Sequence, residues 1–178
     1  IVQVDSISGL EKKAELKFDA WYSKKVIQSG VKKAGQVIGI EVAKIFQQKL
    51  SKVLIELGHD RWSSIWRKAI ETHKQNFSEN DTEDILIIAL RESLHGSFEN
   101  KDKACFQYVN SLLRSKLQTL IRVAIYFVNI YFDNLKSLTN DVLLKENFTS
   151  NFRHELWNFL NNRFLLFTLC QKNLVLNI

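Results

Sequence analysis

The chain is 178 residues long, 46% apolar and 25% charged with a formal net charge of +6, long and apolar enough to bury a core, which sets aside intrinsic disorder. Its 12 Phe, 4 Trp and 4 Tyr supply a large aromatic interior, while the absence of proline, and of glycine beyond Gly96, removes both strong helix breakers from the rest of the chain and predicts long helices. The charge excess is local: residues 1–75 hold 14 Lys/Arg against 8 Asp/Glu and residues 76–178 hold 11 of each, so an anionic partner would meet the first part.

The first predicted element is a helix from Leu10, on which Leu10, Ala14, Phe18, Trp21 and Tyr22 fall at the spacing of one helix face. Ser8 and Glu11 have the spacing of a capping box at its start. Glu11, Glu15 and Asp19 form an acidic row on one side of the stripe, and Lys13, Lys17 and Lys24 a basic row on the other, as in helices that pair along a seam with charged margins. A second stripe runs through Val31, Ala34, Ile38, Val42, Ile45, Leu50, Val53, Leu54 and Leu57. Carried on one unbroken helix, the two stripes would be offset by roughly a third of a turn near Ser29–Gly30, so the helix is expected to bend or break there. Within GVKKAGQVIGIEVAKI, residues 30–45, Gly35, Gly39 and Ala43 recur every four residues and predict a smooth ridge that lets another backbone approach closely. Each helical glycine costs about 1 kcal/mol relative to alanine, and close packing is the natural offset.

Gly58 suits the position just past a helix end, and Asp60 the N-cap of a helix carrying Trp62, Ile65, Trp66, Ala69 and Ile70. The acidic stretch NFSENDTED, residues 76–84, caps the next helix through Ser78 or Asn80, and its Glu79, Asp81, Glu83 and Asp84 complement the helix dipole. That helix is expected to stop at Gly96. A central helix is expected from about Asn100 to Ser137, apolar on all sides; Arg122, Asn129 and Asp133 interrupt a stretch already shorter than the roughly 20 apolar residues of a membrane span. A last helix from about Ser150 carries Phe152, Leu156, Trp157, Phe159, Leu160, Phe164 and Phe167. The tail NLVLNI either finishes this helix or pairs as a strand with IVQV.

No constellation of residues specifies a reaction. GVKKAG matches only the glycine spacing of a phosphate-binding loop, with Gln36 and Val37 where the lysine and hydroxyl belong. His59, His73, His95 and His154 never stand at a metal-binding spacing from another ligand, and the Glu11, Glu15, Asp19 row has no histidine with it, so no metal or other cofactor is expected. Cys105 and Cys170 both lie in apolar helical surroundings and are expected to be buried free thiols; a nucleophile–base pair such as Cys105 with His95 could form only in space. Asn76, Asn80 and Asn147 begin glycosylation sequons of the number that chance supplies in a chain of this composition. Residue 1 is isoleucine and the chain has no methionine, so the numbering is expected to begin inside a precursor; no signal peptide is present, and the compartment stays open.

The expected fold is all-α: an antiparallel bundle of about five or six helices with a long bent N-terminal helix or helix pair. Residues 1–75 would be a basic arm or hairpin and residues 76–178 an aromatic-rich core of one helical domain. The expected function is non-enzymatic binding of a protein partner or assembly through the basic N-terminal helices, with the ridge setting close approach and the charged rows steering pairing. Two alternatives use the same charge. Lys32, Lys33, Lys44, Lys49 and Lys52 on an amphipathic helix suit an anionic membrane. Arg61, Arg67 and Lys68, interleaved with Trp62 and Trp66, suit a nucleic acid. No small-molecule substrate is indicated.

Overall fold

In the computed structural model, which describes residues 2–5, 13–17, 19–58, 60, 69–71, 81–149 and 153–177, helices carry almost all of the regular structure and pack against one another as an all-α fold. Contacts group the chain into two compact units: Ile1–Arg61 with Lys74–Cys105, and Trp62–His73 with Phe106–Ile178. The two units interleave along the chain, changing over between residues 61 and 62, 73 and 74, and 105 and 106.

The first unit opens with a small antiparallel hairpin, β1 (Val2–Asp5) and β2 (Lys13–Leu16), with Val2 opposite Leu16 and Asp5 opposite Lys13. This corrects two expectations. The helix predicted from Leu10 is absent at Lys13–Leu16, and IVQV pairs with β2 rather than with NLVLNI. The sequence KAEL favours a helix locally, but tertiary contacts outweigh that preference: the Thr82 hydroxyl donates to the Ala14 carbonyl at 2.7 Å, and Leu16 packs on the core of the unit. Helix α1 (Ala20–Val26) starts where Asp19 can cap it, its carboxylate accepting the Tyr22 N–H at 3.2 Å.

The predicted offset at Ser29–Gly30 takes a specific form. The helix continues through a π-helical turn, Ile27–Val31, into α2 (Lys32–Ile38). Tyr22 of the first stripe and Ile38 and Ile45 of the second stay exposed, but a π turn holds one residue more than an α turn and so rotates the following face by about 100°. Ile27 and Val31 are accordingly buried with Val42, Ile85 and Ala89. The chain then breaks at Gly39 and resumes as α3 (Ile40–Leu57), ending at Gly58 in the left-handed conformation, as expected of a C-terminal glycine. Helix α4 (Thr82–Glu99) has Asp81 in the N-cap position and runs on past Gly96 to Glu99. Ser78, Asn80, Trp62 and Trp66 lie outside the described residues, as does most of the helix expected after Asp60, but Ala69 and Ile70, expected at its end, are described and are not helical.

The second unit is built on α6 (Gln118–Ile130), whose Leu120, Val123, Ala124, Ile125, Phe127 and Val128 are all buried, so the expected central helix is present in shorter form. Around it stand α5 (Cys105–Leu113), the short turns α7 (Phe132–Leu135), α8 (Thr139–Val142) and α9 (Lys145–Thr149), and then α10 (Arg153–Arg163) and α11 (Leu169–Leu176). The long helices expected beyond Gly96 are thus divided without glycine or proline. Lys101 takes a positive φ of 57°, the Ser115 hydroxyl accepts the Leu117 N–H at 3.1 Å, and Leu117 itself is extended. Phe132, Phe159, Phe167 and Phe164 form a chain of ring contacts with successive centroids 6.2, 5.4 and 6.0 Å apart, an aromatic cluster of the kind the composition implies. The tail belongs to α11.

Candidate interaction surface

The predicted ridge is split by the structure. Gly35 is buried where α2 crosses α4, and a Cβ there would collide with the Ser93 carbonyl. Gly96 is its counterpart across the crossing: a Cβ on Gly96 would collide with the Lys32 carbonyl. Two glycines facing one another bring the backbones closer than any other residue pair allows. Gly39 is not part of a helical ridge. It sits between α2 and α3 at φ 76°, ψ −150°, where L side chains are strained. The Asp102 carboxylate occupies the space beside it, accepting the Ile40 N–H at 2.9 Å and the Ala104 N–H at 2.9 Å. Ala43 is fully buried. The glycines therefore serve the interior of the first unit. Gly96 was readable as a helix end, but its pairing with Gly35 depends on a crossing that sequence spacing does not encode.

The charged rows are also redistributed. Lys13 and Glu15 lie on β2, Lys17 in the bend after it, Asp19 at a cap and Lys24 on α1, while Glu11 lies outside the described residues. No helical row of Glu11, Glu15 and Asp19 can form on this backbone. Among the predicted anion-binding lysines, Lys32 pairs with Glu99 at 2.6 Å, Lys44 with Glu41 at 2.6 Å and Lys52 with Glu56 at 3.6 Å, whereas Lys33 and Lys49 are exposed. The Lys32 hydrogen bond holds the Glu99 carboxyl below the usual range. Arg61, Arg67 and Lys68 lie outside the described residues.

Burial sets the chemistry of the candidate dyad. It pushes the Cys105 thiol up to about 12 and the His95 imidazole down to about 4, the latter despite nearby Glu92. Neither group is activated at neutral pH. Cys170 is exposed rather than buried, because it faces outward on α11. Among the described residues, no group of three or more His, Cys, Asp or Glu could hold a metal ion, and no helix is long and apolar enough to cross a membrane. A shallow cleft of about 340 Å³ in the second unit is lined by charges of both signs, among them Arg114, Asp141 and Glu146. Asn147 beside it is buried, its amide donating to the Asp141 and Val142 carbonyls, so this sequon is closed to a glycan in the folded chain.

The least expected surface is α11 with the 3₁₀ turn Phe164–Leu166 that precedes it. Polar groups hold α11 in place. Thr168 and Gln171 form a capping box, the Gln171 amide donates to Asn140 Oδ1 at 2.9 Å, and the Lys172 ammonium donates to the Leu165 carbonyl at 3.2 Å while lying 5.9 Å from the Phe164 ring centroid. The leucines point the other way: Leu165 is 86% exposed, Leu169 76% and Leu176 73%, with Leu166 and Leu174 also exposed. No residue of α11 is buried. Trp157 is exposed on α10 as well. The sequence signal is that residues 164–177 carry a single charge, Lys172; which face would turn inward was set by the capping box and the Gln171–Asn140 bond.

No protein-family model matches the chain, and neither a curated protein nor a solved structure matches it.

Proposed function

We propose that this chain works by binding, not catalysis, and docks a protein partner that presents an uncharged apolar helix face to Leu165, Leu166, Leu169, Leu174 and Leu176. The observation that carries the reading is the inverted arrangement of α11, whose polar residues anchor it while its leucines face solvent. An eight-residue helix with no buried side chain gains little from intrinsic propensity, and contiguous exposed apolar surface marks interaction sites. This moves docking away from the basic N-terminal helices. There, Lys32, Lys44 and Lys52 already meet carboxylates of their own chain. The outward face of α11 offers no cationic cluster to an anionic membrane or a nucleic acid, which disfavours both alternatives for this surface.

A pull-down from the native source tests the reading with three baits. The chain as it stands and a Lys33→Glu/Lys49→Glu variant should retain the same partner, and a Leu169→Glu/Leu176→Glu variant should lose it. If the leucine variant keeps everything the unaltered chain keeps, docking at α11 is wrong; loss confined to the lysine variant would return the site to the N-terminal helices.

A further inference from the structure

The partner chemistry of α11 can be narrowed by asking which surface of this chain tolerates a copy of itself. A contact about a two-fold axis sets each patch against the identical patch, so any charge at its centre meets its like. In the first unit the exposed apolar residues Tyr22, Val26, Val37, Ile38 and Ile45 are interspersed with exposed Lys25, Lys33, Lys44 and Lys49. A second copy there would bring lysine against lysine on a chain whose net charge is +6. The outward face of α11 has no such conflict. Its one charge, Lys172, is turned back onto the Leu165 carbonyl and the Phe164 ring. What remains on the face is Leu169, Cys170, Asn173, Leu174, Leu176 and Asn177.

We infer that the partner is a second copy of this chain, joined through an antiparallel pairing of α11 with α11. The inference rests on the docking reading above. Leu169 and Leu176 are seven residues apart, about 10.5 Å along a helix, and an antiparallel pair sets Leu169 of each copy beside Leu176 of the other. Asn173 lies between them on the same face, and each of its amides carries both a donor and an acceptor for the amide of the other copy. Such a pair of asparagines fixes register at some cost in stability. The exposed leucines offer on the order of several hundred Å² of apolar surface per copy, below the roughly 800 Å² of a standard stable interface. A contact of that size is a weak, reversible one.

Sedimentation of the purified chain across concentrations tests this. The mass should double as concentration rises, and Leu169→Glu/Leu176→Glu should remain monomeric at every concentration. Circular dichroism of dilute samples checks that this variant keeps its helices, and Lys33→Glu should dimerise like the unaltered chain. Because Cys170 lies on the contact face and the Cys105 thiol is inert, alkylation of Cys170 should slow as dimer forms. A chain that stays monomeric up to about 1 mM overturns the inference. A monomer whose leucine-dependent partner still appears in the pull-down overturns the copy and leaves the docking reading standing; failure of both experiments removes both. Leucine-dependent binding of the monomer to neutral phosphatidylcholine vesicles, without dimerisation, also overturns it, in favour of lipid.

Discussion

Arg122 and Glu155 show how much one residue can carry in the second unit. Their side chains are 5% and 3% exposed and meet in a two-bond contact, Arg122 Nε to Glu155 Oε2 at 3.0 Å and Nη2 to Oε1 at 2.7 Å, tying α6 to α10. Glu155 Oε1 also accepts the Ile70 N–H at 3.4 Å. Breaking such a pair from one side strands a buried charge, whereas replacing both sides with apolar residues removes two desolvation penalties together. Arg122→Met alone should lower unfolding free energy by about 3–5 kcal/mol in a urea titration, and Arg122→Met with Glu155→Leu should recover most of the loss. A double variant no more stable than the single one would show that the pair is not the unit that matters. In the sequence, Arg122 reads only as an interruption of an apolar run; its carboxylate partner lies 33 residues away, and no local spacing pairs the two.

At the scale of elements, most of the second stripe, the offset near Ser29–Gly30, the Gly58 stop and the buried central helix were legible, because each is a periodicity or a local backbone preference; the first stripe was not, since Ala14 lies on a strand and Tyr22 is exposed. What was not legible depends on contacts distant in sequence. Lys13–Leu16 became a strand because Val2–Asp5 and Thr82 were there to pair with it, and α11 turned its leucines outward because Asn140 was there to hold Gln171. The crossing of α2 and α4 gives this a measurable form. Gly35→Ala and Gly96→Ala each force a methyl into the opposing backbone and should destabilise by about 1–3 kcal/mol or more. Gly30 lies in the π turn with nothing within 4 Å of the place an added methyl group would take, so Gly30→Ala should be neutral or stabilise by about 0.4–1 kcal/mol. Thermal denaturation of the three variants separates close packing from a general aversion to glycine replacement: equal shifts in all three would count against the crossing.

For the whole molecule, two separately cored units imply two responses to acid. His95 on α4 has its basicity lowered from 6.5 to about 4, first by burial, with Arg91 and Lys32 acting in the same direction and Glu92 and Glu99 against it. Below pH 6.5 the unfolded chain takes up a proton that the folded chain refuses. Stability of the first unit therefore rises with pH between about 4 and 6.5 and is level above, a span worth on the order of 3 kcal/mol. Hydrogen exchange corrected for intrinsic rates should show α4 losing protection as pH falls from 7 to 5 while α6 retains it, and His95→Leu should remove that slope. Parallel loss in both helices would mean that the units unfold as one.

The π turn at Ile27–Val31 has a consequence for chain length. Its extra residue acts as a spacer, and a chain shortened by one here, by deletion of Gly30 for instance, would close into an ordinary α-helix. That closure would turn α1 by about 100° relative to α2. Tyr22 and Val26 would leave the side they now occupy, and other residues of α1 would replace them. At this point the number of residues, more than their identity, decides which side of α1 looks toward solvent.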